Sequence, residues 1–205
     1  GPTGVPIFKC RSAGMSIDGI TLNGRLEDFT GTRTKASYGL EIGGESGVWV
    51  PNGKLNIPQI SVLNCDVGIV FGLGGLATNS DNCNFGYYHS HKNRIAVRFD
   101  ENQSNGTNFA YIWYTNFENN AAPTTGNYVI YCGDDAINGA GGSLVVQSLK
   151  VNSPTTILGI ERPTSNVSFY DFNNIKFDNY AGYPIGSTDP TGGWRLVDVF
   201  KAGHI

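Results

Sequence analysis

The chain has 205 residues, 40% of them hydrophobic and only 15% charged, so it can bury a sizeable core while carrying less charge than the ~25% usual for globular proteins. Its 14 Lys and Arg against 17 Asp and Glu leave a formal net charge of −3, which gives no electrostatic case for nucleic acid. No apolar run reaches the roughly 18 residues that a membrane-spanning helix requires. With 28 Gly, 21 Asn and a single Met, turn formers outnumber good helix formers and the composition points to an all-β chain.

Residues 1–14, with Pro2 and Pro6, read as an extended lead-in. Gly1-Pro2 has neither the charged nor the apolar region of a signal peptide, and the chain is expected to be a piece of a longer protein forming one domain over 1–205. Met15 to Gly24 (MSIDGITLNG) places Ile17, Ile20 and Leu22 before an Asn-Gly corner. Leu26 to Ser37 is polar and Thr-rich and reads as an excursion. Tyr38 to Val50 gives two short strands around Gly43-Gly44.

Ile57 to Gly72 (IPQISVLNCDVGIVFG) is the organising stretch. Two β-branched runs, Ile60–Leu63 and Val67–Phe71, flank the polar corner Asn64-Cys65-Asp66. Three residues without an Asn-Gly or Asp-Gly pair make a poor hairpin. A sharp bend into a strand on a different face fits better.

Arg94–Phe99 alternates as a half-exposed strand should. Asn108–Asn120, Tyr128–Tyr131, Ser143–Ile160, Val167–Tyr180 and Trp194–Phe200 continue the series. Corners fall near Asn23, Asn64, Asn119, Asn152 and Asn179, at irregular intervals that a solenoid with side loops accommodates. About six coils at about 4.8 Å each make a short rod of roughly 30 Å. A β-sandwich is the alternative, but hairpin turns are scarce.

Cys10, Cys65, Cys83 and Cys132 show no zinc-type spacing. Inward-facing free thiols are expected, although two disulfides are permitted. No metal or other cofactor is expected, and His89-Ser90-His91 lacks a third ligand nearby. There is no nucleophile elbow, zincin helix, phosphate loop or EF-hand loop.

Three segments carry a family resemblance: Ser16–Gly24 (SIDGITLNG), Val62–Ile69 (VLNCDVGI) and Asn173–Asn179 (NNIKFDN). In these the chain resembles the pectin-lyase-like right-handed parallel β-helices, and its loop-interrupted, Gly- and Asn-rich coils look most like phage tailspikes. That resemblance implies a homotrimer at a virion tail, or otherwise extracellular, that binds and in many members cleaves host-surface polysaccharide. Asn79-Ser80-Asp81 and Gly133-Asp134-Asp135 look like two elements of the polygalacturonase branch. The distance between them departs from that pattern, and the Gly-His-Gly and Arg-Ile-Lys elements have no full counterpart.

Glycoside hydrolysis requires two carboxylates facing one bond. The candidates are Asp81, Asp100, Glu118, Asp134 and Asp135, each of which also reads as an ordinary loop or strand-end acid. Tyr87, Tyr88, His89, His91, Arg94 and Arg98, with Tyr111 and Trp113 on the following strand, form an aromatic and basic strip suited to a glycan. If Ile112 is core, alternation turns Tyr111 and Trp113 outward, toward a ligand or a subunit interface. Whether the domain hydrolyses its ligand stays open. The alternatives are a structural module of a virion fibre and a secreted polysaccharide-degrading enzyme.

Overall fold

In the computed structural model the described residues are 6–10, 14–27, 33–43, 50–51, 55–72, 78–79, 83–99, 107–115, 127–132, 143–152, 155–160, 169–177 and 195–199. Among them there is strand and no helix. Pro6–Cys10 (β1) opens one sheet, and Ile20–Asn23 (β2) opens a second. Arg25–Glu27 (β3) pairs antiparallel with the start of Arg33–Ile42 (β4), which then runs beside β1. Val50–Pro51 (β5) is a side strand, and Asn56–Leu63 (β6) returns to the second sheet beside β2.

The alternation then continues. Cys65–Phe71 (β7) joins the first sheet beside β4, Thr78–Asn79 (β8) pairs with β5, and Asn84–His91 (β9) lies beside β6. Ile95–Phe99 (β10) follows β7, and Thr107–Thr115 (β11) follows β9. Tyr128–Cys132 (β12) extends the first sheet, while Ser143–Val146 (β13) and Leu149–Val151 (β14) together flank β11. Thr156–Ile160 (β15), the pair Phe169–Phe172 (β16) and Ile175–Phe177 (β17), and Arg195–Val199 (β18) complete the order. Apart from β3 with β4, every pairing among the described strands is parallel. Each return to a sheet therefore lands beside the strand left there on the preceding visit.

The corner at Asn64 shows the local cause. Only this residue separates β6 from β7, and it takes a φ of 56°, in the left-handed region that Asn tolerates better than most side chains. That one residue redirects the chain into the other sheet, so the corner is shorter than the expected Asn64-Cys65-Asp66: Cys65 and Asp66 already belong to β7. The register pairs Leu63 with His91, which sets Lys92 alongside Asn64, and Lys92 adopts the same conformation at φ 57°. These two adjacent corners thus share a backbone conformation, and an Asn occupies only one of them. Asn119 and Asn179 lie outside the described residues. Within the Thr-rich excursion, β3 and the start of β4 pair with each other off the main strand order.

A second break runs through the second sheet. Ile57 and Ile60 are both buried, and the same three-residue step recurs at Phe85 and Tyr88, Phe109 and Ile112, and Val146 and Leu149. Two residues per strand thus leave the interior at this step. This defeats a strict period of two, and at the later strands the break separates β13 from β14 and β16 from β17.

Inward side chains form columns along the stacked strands. Leu40, Ile69, Val97, Ile130 and Leu158 make one; Cys10, Ile42, Phe71, Phe99 and Cys132 make another. Phe71 stacks on Phe99 at 4.7 Å and Phe85 on Phe109 at 4.4 Å, close to the spacing between strands. Phe71 meets Phe85 edge to face at 6.2 Å, joining the two sheets across the core. All four cysteines are buried in this interior as thiols outside any disulfide.

Candidate functional site

Strands β6, β9, β11, β14 and β17 lie side by side, so residues at matched positions form outward columns. Ser61, His89, Trp113, Lys150 and Lys176 make one. Gln59, Tyr87 and Tyr111 make the next, with Ser148 following Tyr111 one residue before the paired Leu149. Leu63, His91 and Thr115 form the third.

The outward turn of Tyr111 and Trp113 follows from Ile112 and Tyr114, which are fully buried on the opposite side. Tyr87 stacks on Tyr111 with centroids 5.2 Å apart and planes 8° from parallel. His89 stacks on Trp113 at 4.4 Å and 17°. The Lys150 ammonium lies 5.4 Å from the centre of the Trp113 ring, within cation–π range. His89 and His91 tilt toward each other at 5.6 Å, and His91 Nδ1 bonds to the Thr115 hydroxyl oxygen.

This packing sets the electrostatics. Burial against the neighbouring strands, with the charge of His91 adding to it, holds the His89 imidazole below its ordinary pKa. Burial, reinforced by Tyr111, raises the Tyr87 phenol. His89 Nε2 and Trp113 Nε1 are shielded from solvent and find no hydrogen-bond partner among the described residues.

Five members of the predicted strip, Tyr87, His89, His91, Tyr111 and Trp113, share this face. The other three do not. Tyr88 points into the core, where it is fully buried and donates its hydroxyl to the Ala96 carbonyl at 2.7 Å, so it cannot meet a ligand outside. Desolvation pushes its phenol well above the ordinary range. Arg94 stands at the corner before β10 and forms a bidentate pair with Asp66, Nε to Oδ1 at 2.7 Å and a second guanidinium nitrogen to Oδ2 at 2.9 Å. That bond holds the guanidinium above its usual pKa. Arg98 belongs to the first sheet and lies 5.7 Å over the Tyr131 ring. A period-two reading of consecutive residues merges faces that the corner at Lys92 separates.

The carboxylate candidates Asp81, Asp100, Glu118, Asp134 and Asp135 lie outside the described residues. Among the described residues no group of three or more His, Cys, Asp or Glu could hold a metal ion. Lys150, Lys176 and Ser148 escape the sequence reading, because their place depends on register across strands distant in sequence. The signal available was the matched pattern Ile112-Trp113-Tyr114 and Leu149-Lys150-Val151, two apolar residues flanking one outward position.

Comparison of the chain with protein families, curated proteins and solved structures yields no match.

Proposed function

We propose that this chain is a right-handed parallel β-helix domain of phage-tailspike type that binds host-surface polysaccharide on the outer face of its second sheet. In this reading the alternating visits to the two parallel sheets are the turns of a solenoid, and the inward columns are its continuous core. The domain acts as a homotrimer at the virion tail or in the extracellular space. Hydrolysis of the ligand would fall to carboxylates drawn from Asp81, Asp100, Glu118, Asp134 and Asp135.

The observation that carries the binding assignment is the pair of in-register aromatic stacks, Tyr87 on Tyr111 and His89 on Trp113, set outside a core that already holds other aromatics. Sugar rings present C–H faces that lie flat on such rings, while hydroxyls take bonds from neighbouring polar groups. The position level with Tyr111 on the next strand is Ser148, a small residue. Polar side chains at Gln59, Ser61 and His91 border the rings.

A second reading is an assembly module whose outer aromatics pack between subunits. The shielded, unpartnered Trp113 Nε1 favours it, since a subunit could supply an acceptor. One experiment separates the two. Trp113→Ala should abolish retention on bacterial surface polysaccharide while leaving a trimer near three times 22.0 kDa by light scattering. Loss of the trimer with no polysaccharide bound by the parent protein would support the assembly module instead.

A further inference from the structure

The second sheet is charged differently from the chain as a whole. The chain carries more acids than bases, 17 against 14. Yet the strands β2, β6, β9, β11, β13, β14, β16 and β17 contain one carboxylate residue, Asp171. Asp171 pairs with Val145, on the strand segments before the break, away from the column that holds Trp113. Beyond the break, Lys150 and Lys176 stand directly opposite each other on adjacent strands. The two matched positions thus carry charge of the same sign.

The same column continues through Trp113 to His89, with His91 beside it. It therefore offers two ammonium groups, an indole and an imidazole in a line across neighbouring strands, with a second imidazole in the adjacent column. Strands are about 4.8 Å apart, so these groups step along the sheet at roughly the length of one sugar residue. Lys176 is exposed, and Lys150 holds its ammonium over the indole ring.

We propose that the ligand of this face is an acidic polysaccharide, with a sugar seated against the outer edges of the Trp113 and Tyr111 rings and carboxylates on Lys150 and Lys176. The proposal rests on the saccharide-binding reading above and adds the charge of the ligand. An ammonium paired with a carboxylate forms a charge-assisted hydrogen bond, stronger than those a neutral sugar hydroxyl can make.

The test uses a panel of acidic bacterial capsular polysaccharides, each presented beside its carboxyl-reduced, neutral derivative. Binding to an acidic member should exceed that to its reduced form by about tenfold at low salt and weaken as salt is raised. Lys150→Met with Lys176→Met keeps the apolar stems, removes both charges, and should cancel that preference at unchanged melting temperature. Equal binding of a parent and its reduced form overturns the acidic-ligand proposal and leaves saccharide binding standing. A preference that survives the double variant also overturns it, because the charge is then sensed elsewhere. No binding to any member, acidic or reduced, overturns both.

Discussion

The imidazole of His89 lies on the indole of Trp113, ring centroids 4.4 Å apart, because β9 and β11 pair in parallel with these two residues in register. The stack orients both rings, so a ligand meets a surface whose side-chain entropy is already spent. Removing the indole should therefore cost binding and little stability. Trp113→Ala and Tyr111→Ala are each expected to weaken polysaccharide binding at least tenfold, about 1.4 kcal/mol or more, with melting shifted by only a few degrees. Isothermal titration alongside calorimetric melting checks both halves of this expectation.

Tyr88 behaves in the opposite way. Its ring fills the core and its hydroxyl sits over Gly68, where an added Cβ would come within 2.1 Å of that oxygen and 2.7 Å of the Ala96 carbonyl. Tyr88→Ala should cost about 3–5 kcal/mol in urea unfolding through the cavity it leaves. Gly68→Ala should destabilise by overpacking, about 1–3 kcal/mol, and adding Tyr88→Phe should recover only part, since the backbone oxygen of Ala96 remains. Full recovery in the double variant would contradict this geometry.

Asn93 is a buried latch between the corner and the neighbouring strands. Its Oδ1 accepts from the Cys65 N–H at 2.8 Å, and its Nδ2 donates to the Val62 carbonyl at 2.8 Å and to Ser90 Oγ at 2.9 Å. Asn93→Leu leaves a buried N–H and a buried carbonyl without this partner and should cost at least about 2 kcal/mol by denaturant titration. The neighbouring Arg94–Asp66 pair, at 39% and 48% side-chain exposure, is screened by solvent. Asp66→Asn should cost less than about 1 kcal/mol, and less still in high salt.

Stability should fall on acidification through His89. Its folded pKa lies below the ordinary 6.5, so the unfolded chain binds the proton more readily than the folded one. The contribution is complete above about 6.5 and is lost as pH falls from there toward the folded value. His89→Gln should flatten the dependence of melting temperature on pH in that window. A variant with the slope of the parent would assign the titration to another group.

Much of the strand order was legible because β-branched runs and turn residues are local signals. The Asn64 corner needs only a residue tolerant of positive φ between two apolar runs, and a strand change there follows from the poor hairpin chemistry. The outward face was legible only in part. Tyr111 and Trp113 could be placed from the apolar Ile112, whereas Tyr88 follows Tyr87 across a break at which two successive residues leave the interior. That break has no residue type of its own: its outward positions are Pro58 and Gln59, Gly86 and Tyr87, Ala110 and Tyr111. Lys150 over Trp113 was not legible, since the shared pattern of one outward residue between two apolar ones does not fix the register across the intervening length of chain.

The central claim is that the Trp113 face meets saccharide. The most direct measurement is the fluorescence of a variant keeping Trp113 alone, with Trp49→Phe and Trp194→Phe, during titration with bacterial surface polysaccharide. The account predicts a saturable change in emission with protection from acrylamide quenching, both absent when Tyr111 is also replaced by Ala. Emission already protected in the free protein, and unchanged by any polysaccharide that the protein retains, would place the indole away from the ligand and contradict the account.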